Sequence, residues 1–86
     1  MAKRVTIRCY KNDKVPYRDT LYGDYIQKIA GCSLKKLHID KHAQNIVDTH
    51  IDDMIVRFGK ARHFDEIFVH NDFTGFHKYY DFRGGE

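Results

Sequence analysis

The stretch DKHAQNIVDTHIDDMIVRFG, Asp40 to Gly59, decides the fold. Apolar residues recur at Ala43, Ile46, Val47, Ile51, Met54, Ile55 and Phe58, a spacing that lays them along one stripe of a 3.6-residue helix. Asp40 can cap the first turn, because its carboxylate accepts from backbone N–H groups that have no partner within the helix. Gly59 can take the left-handed conformation that closes a helix. The pattern predicts an 18-residue helix, Lys41 to Phe58. At the standard rise this is about 27 Å long, enough to cross a small domain.

On the C-terminal side, ARHFDE reads as a connector, followed by EIFVHN and GFHKYYDF joined through Asn71 to Gly75. A β-hairpin is expected, with Gly75 supplying a positive φ in the loop. Both parities carry apolar or aromatic residues: Ile67 and Val69 against Phe68, then Phe76, Tyr80 and Phe82 against Tyr79. Helices can cover one face of such a sheet, which leaves the other for a partner or for a homodimer.

On the N-terminal side, CSLKKLHID reads as irregular or as a short strand. Before it, Leu21, Tyr22, Tyr25, Ile26 and Ile29 predict a first helix capped by Asp19 or Thr20 and stopped at Gly31. Gly23 costs that helix about 1 kcal/mol relative to Ala. Val5, Ile7 and Cys9 alternate with Thr6, Arg8 and Tyr10, the period of a half-buried strand. KNDKVPYR, with the only proline, Pro16, is expected to be a loop. The expected architecture is α+β over a single domain, 1–86: an N-terminal strand, two helices of which the second is long and amphipathic, and a C-terminal β-hairpin, forming a small antiparallel sheet. This element order is similar to that of small ribosome-dependent endoribonuclease toxins, a likeness of fold that licenses no function.

The 86 residues are 42% hydrophobic and 31% charged, which argues against a disordered chain. No apolar run approaches membrane-spanning length, and MAKRVTIRCY lacks the apolar block of a signal peptide, so a cytoplasmic protein with no membrane partner is expected. Cys9 and Cys32 suit that compartment as free thiols. The net charge of +3 divides unevenly: residues 1–43 hold ten Lys+Arg and four Asp, or +6, and the rest hold five Lys+Arg and eight Asp+Glu, or −3. Such polarity can meet a complementary partner or can draw the two halves together.

Three functional readings follow. The leading one is a small non-enzymatic regulator or inhibitor docking on a larger protein or nucleoprotein complex, with phage-encoded anti-host factors as one such class. Its contact residues would be the acidic helix strip Asn45, Asp48, Asp52 and Val56, together with the hairpin aromatics Phe73, Phe76 and Tyr79. Asp48 and Asp52 are like charges four residues apart, a cost to an isolated helix that a neighbouring basic surface would offset. The bland alternative is that lysines of this chain's own N-terminal half lie beside them.

The second reading is a single-stranded nucleic-acid-binding module. It would use Arg8, Lys11, Lys14, Arg18, Lys35 and Lys36 on phosphates, with Tyr10 and Tyr17 as stacking faces. The third is an endoribonuclease using His70, His77, Tyr79 and Arg83, with Arg57 or Arg62 on the phosphate.

His38, Asp40 and His42, and separately His50 with Asp53, are suitable ligand types, yet their spacing on and before a helix does not converge, so no metal and no cofactor is expected. His50 falls between Ile46 and Met54 on the apolar stripe and is expected to be buried, with a loss of stability near about pH 5 to 6 as a consequence. The terminal Arg83-Gly84-Gly85-Glu86 reads as a plain tail.

Overall fold

The alternation at the N-terminus forms strand β1, Val5–Lys11, with Val5, Ile7 and Cys9 buried and Thr6, Arg8 and Tyr10 on the opposite side. A computed structural model of the chain, which describes residues 3–83, continues with β2 (Lys14–Leu21), α1 (Gly23–Ala30), α2 (Leu34–Leu37), α3 (Lys41–Arg62), β3 (Glu66–Asn71) and β4 (His77–Asp81). The class is α+β, as expected. The sheet has four strands in the order β2-β1-β3-β4, every neighbouring pair antiparallel, rather than one strand added to a hairpin. Of the tail, residues 84–86 lie outside the described residues.

The additional strand replaces the expected loop at residues 11–18. Asn12 and Asp13 have φ of 53° and 63°, so they form a two-residue turn with both positions left-handed, the geometry whose twist matches the flanking strands. Lys11 then faces Lys14, while Cys9 faces Tyr17, so β2 holds one extra residue in the interval that contains Val15 and Pro16. Proline is tolerated there because β2 is an edge strand and a bulge frees the backbone from regular pairing. Extending β2 to Leu21 takes Asp19 and Thr20 out of the helix, and α1 starts after Tyr22, which offers no side-chain cap. Its end is as expected, with Gly31 at φ 71°. Residues 32–39 contain the short helix α2, where Ser33 accepts from the Lys36 N–H at 3.2 Å, rather than a strand.

Helix α3 is capped by Asp40, whose Oδ1 accepts from the His42 and Ala43 N–H groups at 3.0 and 3.2 Å. Its buried line is Ala43, Val47, Ile51, Ile55 and Gly59, one residue every fourth position. A line at that spacing is narrower than the seven-residue stripe read from the sequence. Ile46, 40% exposed, and His50, also exposed, lie on its flank. The expected burial of His50 is therefore corrected, and the acid-linked stability loss tied to it has no basis: its Nε2 lies 3.4 Å from the Tyr25 hydroxyl on the surface.

Gly59 does not stop the helix either. It sits inside α3 with the Phe82 ring against its Cα, so close that a Cβ would lie 2.3 Å from a ring carbon. The helix closes instead at His63, left-handed with φ 57°. The glycine answers to a close approach, not to a turn.

Strands β3 and β4 are joined through Asp72 to Phe76, with His70 opposite His77, Phe68 opposite Tyr79 and Ile67 opposite Tyr80. One core unites the inward residues Val5, Ile7, Cys9, Ile67, Val69 and Tyr80 with Ile26, Leu37 and the α3 line, so the helices share one face of the sheet. Cys9 and Cys32 are free, and burial, with the Asp19 charge second, pushes the Cys9 thiol up to about 11. Among the described residues no helix is long and apolar enough to cross a membrane.

Candidate functional site

Strand alternation and register together determine what the face without helices presents. Arg8 lies opposite Arg18 on one side and Phe68 on the other, and Phe68 lies opposite Tyr79, so a row Arg18–Arg8–Phe68–Tyr79 crosses all four strands. At standard strand spacing the row is about 14 Å wide. Arg8 and Arg18 are exposed, Phe68 is half-buried and Tyr79 is 53% exposed. A parallel row, Thr20–Thr6–His70–His77, runs on one side of it. On the other side Tyr10 faces Glu66, which faces Asp81, and Lys11 and Lys14 stand at the adjoining turn.

The charges on this face are not balanced evenly. Its carboxylates have local partners: Arg83 bridges to Glu66 and lies 3.7 Å from Asp81, and Asp72 lies 3.1 Å from His70 Nε2. Among the described residues neither Arg8 nor Arg18 makes a salt bridge. Two like charges directly opposite on neighbouring strands repel, so the pair is an arrangement that an anion between them would relieve. The neighbouring Glu66 carboxylate holds the Tyr79 phenol above its ordinary value.

The other nucleic-acid candidates separate. Arg8, Tyr10 and Arg18 share the open face, and Lys11 and Lys14 adjoin it. Tyr17 turns to the helical side, its ring centroid 5.3 Å from that of Phe58. Lys35 and Lys36 belong to α2, in the helical layer. Phe68 was not among the candidates, because its place beside Arg8 depends on a register that composition does not reveal.

The acidic strip faces the chain's own C-terminal hairpin. Asp48 Oδ1 accepts from Asn71 Nδ2 at 3.1 Å and from the Thr74 hydroxyl at 2.9 Å. Asn71, fully buried, also accepts the Phe73 N–H through its Oδ1 at 2.8 Å. Burial raises the Asp48 carboxyl above its ordinary value, with the Thr74 and Asn71 hydrogen bonds opposing. Asp52 accepts from the Tyr80 hydroxyl at 2.8 Å and from Lys78 at 3.1 Å, and these two bonds lower its carboxyl. Of the remaining contact candidates, Phe73 is buried in the core, Val56 packs against it, Phe76 is half-buried, and Asn45 is exposed on α3. Only Tyr79 of that group joins the open face.

The endoribonuclease candidates converge in part. His70 and His77 stack across β3 and β4 with ring centroids 6.2 Å apart, next to the Phe68–Tyr79 pair. Arg83 is held by Glu66. Arg57 and Arg62 lie on α3, on the other side of the sheet, where Arg57 pairs with Asp53 at 3.1 Å. Asp40 is committed to its cap, His38 and His42 are exposed, and among the described residues no group of three or more His, Cys, Asp or Glu side chains is placed to hold a metal ion. Compared with protein-family models, with curated proteins and with solved structures, the chain matches none.

Proposed function

We propose that this chain is a binding protein whose open sheet face takes single-stranded nucleic acid. The observation that carries the proposal is the row Arg18–Arg8–Phe68–Tyr79: two guanidinium groups for phosphates, neither in a salt bridge among the described residues, beside two aromatic rings on which bases stack. A rigid sheet supports the row, and strand spacing sets its width, so the ordering cost on binding falls mainly on the nucleic acid. Tyr10, diagonal to Phe68, and Lys11 with Lys14 extend the same surface along the strands. Aromatic residues exposed on an open sheet are a recurrent means of holding unpaired bases, because every base has a face to stack.

Docking on a larger protein through the acidic strip has weaker support, since Asp48 and Asp52 already bond to Asn71, Thr74, Lys78 and Tyr80. A nucleoprotein complex remains a natural partner, met through its nucleic acid.

The test is binding of fluorescent single-stranded oligonucleotides, read by anisotropy across a salt series. Four phosphate contacts, from Arg8, Lys11, Lys14 and Arg18, predict a slope of log affinity on log salt of about −2.8, a loss of about 50-fold between 50 and 200 mM. Arg8→Ala should flatten the slope by about 0.7. Phe68→Ala should weaken binding by about 5- to 150-fold and leave the slope unchanged, the mark of lost stacking rather than lost charge. Salt-independent binding, or none, refutes the proposal.

A further inference from the structure

We infer that the paired imidazoles of His70 and His77 cut RNA held on this face, by general acid–base transfer of the 2′-hydroxyl onto the adjacent phosphate. The inference rests on the nucleic-acid reading of the same surface and adds a reaction to it. The two rings lie opposite one another on β3 and β4 with centroids 6.2 Å apart, a gap that a phosphodiester can span at its edge. Both side chains are exposed, and neither contributes to the core.

Each ring is held by one nitrogen and offers the other. His77 Nδ1 lies 3.3 Å from the Gly75 carbonyl oxygen, and the tautomer that donates there leaves the Nε2 lone pair free. His70 Nε2 lies 3.1 Å from Asp72 Oδ1, so a protonated His70 has its counter-charge in place and presents Nδ1–H. One imidazole is thus arranged as a base and the other as an acid. Arg8 is on the neighbouring row, one strand away and diagonal to His70, within the reach of a long side chain to a phosphate oxygen.

The step balances without a metal, an oxidant or a reductant. His77 Nε2 takes the proton of the 2′-hydroxyl as that oxygen bonds to phosphorus, the P–O5′ bond breaks, and His70 Nδ1 gives its proton to the departing 5′ oxygen. The products are a 2′,3′-cyclic phosphate and a 5′-hydroxyl. DNA lacks the attacking oxygen and is bound without being cut.

The full chain is incubated with a labelled short RNA in the presence of EDTA, and the products are identified by mass spectrometry alongside anisotropy measurements of binding. Fragments ending in 2′,3′-cyclic phosphate are expected from RNA, and none from DNA or 2′-O-methyl RNA of the same sequence. His70→Ala and His77→Ala should each lose cleavage by about 10²-fold or more, far beyond any fall in RNA affinity read by anisotropy. The corresponding His→Gln variants, which keep a polar side chain on the strand, should fail in the same way. RNA that is bound but not cut, or cleavage that survives these substitutions, overturns the inference and leaves the binding surface standing. RNA that is neither bound nor cut overturns both.

Discussion

Replacing Asp48 by Ala and by Asn separates two roles that one carboxylate performs. Asp48→Ala removes the acceptor for Asn71 Nδ2 and for the Thr74 hydroxyl. Asn71 is fully buried, so its orphaned amide loses a partner that water cannot replace, at about 1 to 3 kcal/mol. Thr74, half-buried, adds the net value of an ordinary hydrogen bond, about 1 kcal/mol. Relief of a partly desolvated charge offsets some of this. The expected loss is about 2 to 3 kcal/mol, read as a lower urea midpoint at unchanged slope.

Asp48→Asn keeps a carbonyl oxygen for both donors and removes the charge that burial disfavours, so it should lie within about 1 kcal/mol of the parent at pH 7. The pH dependence carries a definite sign. Because the folded-state carboxyl is raised, its favourable contribution is complete below the unfolded value of about 3.9 and is lost as pH rises through the raised value. Parent stability should therefore gain on Asp48→Asn as the pH falls from 7 towards 3. If Asp48→Ala costs less than about 0.5 kcal/mol, or if Asn is as damaging as Ala, the Asn71–Asp48–Thr74 network does not hold the β3–β4 loop to α3 as described.

Asp52, one turn on, should show the opposite trend. Its carboxyl is lowered by Tyr80 and then Lys78, so its contribution is present above about pH 3.9 and lost as pH falls through the lowered value. The advantage of the parent over Asp52→Asn, below about 1 kcal/mol for a pair this exposed, should close in acid, as followed by urea titrations at several pH values. Gly59→Ala should destabilise by about 1 to 2 kcal/mol in calorimetry, because the new Cβ meets the Phe82 ring. In a Phe82→Ala background the same change should instead stabilise by up to about 1 kcal/mol, the helix preference of Ala over Gly. Asp13→Gly and His63→Gly should each raise stability by about 0.5 to 1 kcal/mol in thermal melts, since both positions have positive φ.

What could be read from the residues depended on how strictly each element kept its period. Val5, Ile7 and Cys9 alternate without interruption, and β1 was legible. The α3 pattern was legible as a helix, and its stripe held Ala43, Val47, Ile51 and Ile55, which are buried, but it also took in Ile46, which the sheet's position leaves exposed. β2 was hidden by its bulge, by Pro16 and by Asp19, a charged residue on the inner parity of an edge strand. Its turn, Asn12-Asp13, lacks the glycine that usually announces a two-residue hairpin.

The same dependence governs the site. Arg8 and Arg18 were recognisable as basic residues, ten positions apart in the chain. Their facing each other, with Phe68 and Tyr79 in line, exists only once three strand registers are set. The acidic strip was legible as a feature requiring a neighbour, and the neighbour is the hairpin rather than the basic N-terminal half. Long-range pairing supplied what local pattern could not.

The most direct test of the central claim is amide chemical-shift mapping of the labelled chain titrated with a single-stranded RNA oligonucleotide. Shifts are expected to concentrate at Thr6, Arg8, Tyr10, Arg18, Phe68, His70 and Tyr79, with α3 from Asn45 to Val56 unmoved. Shifts centred on that stretch of α3, or on α2, with the open sheet face silent, would contradict it.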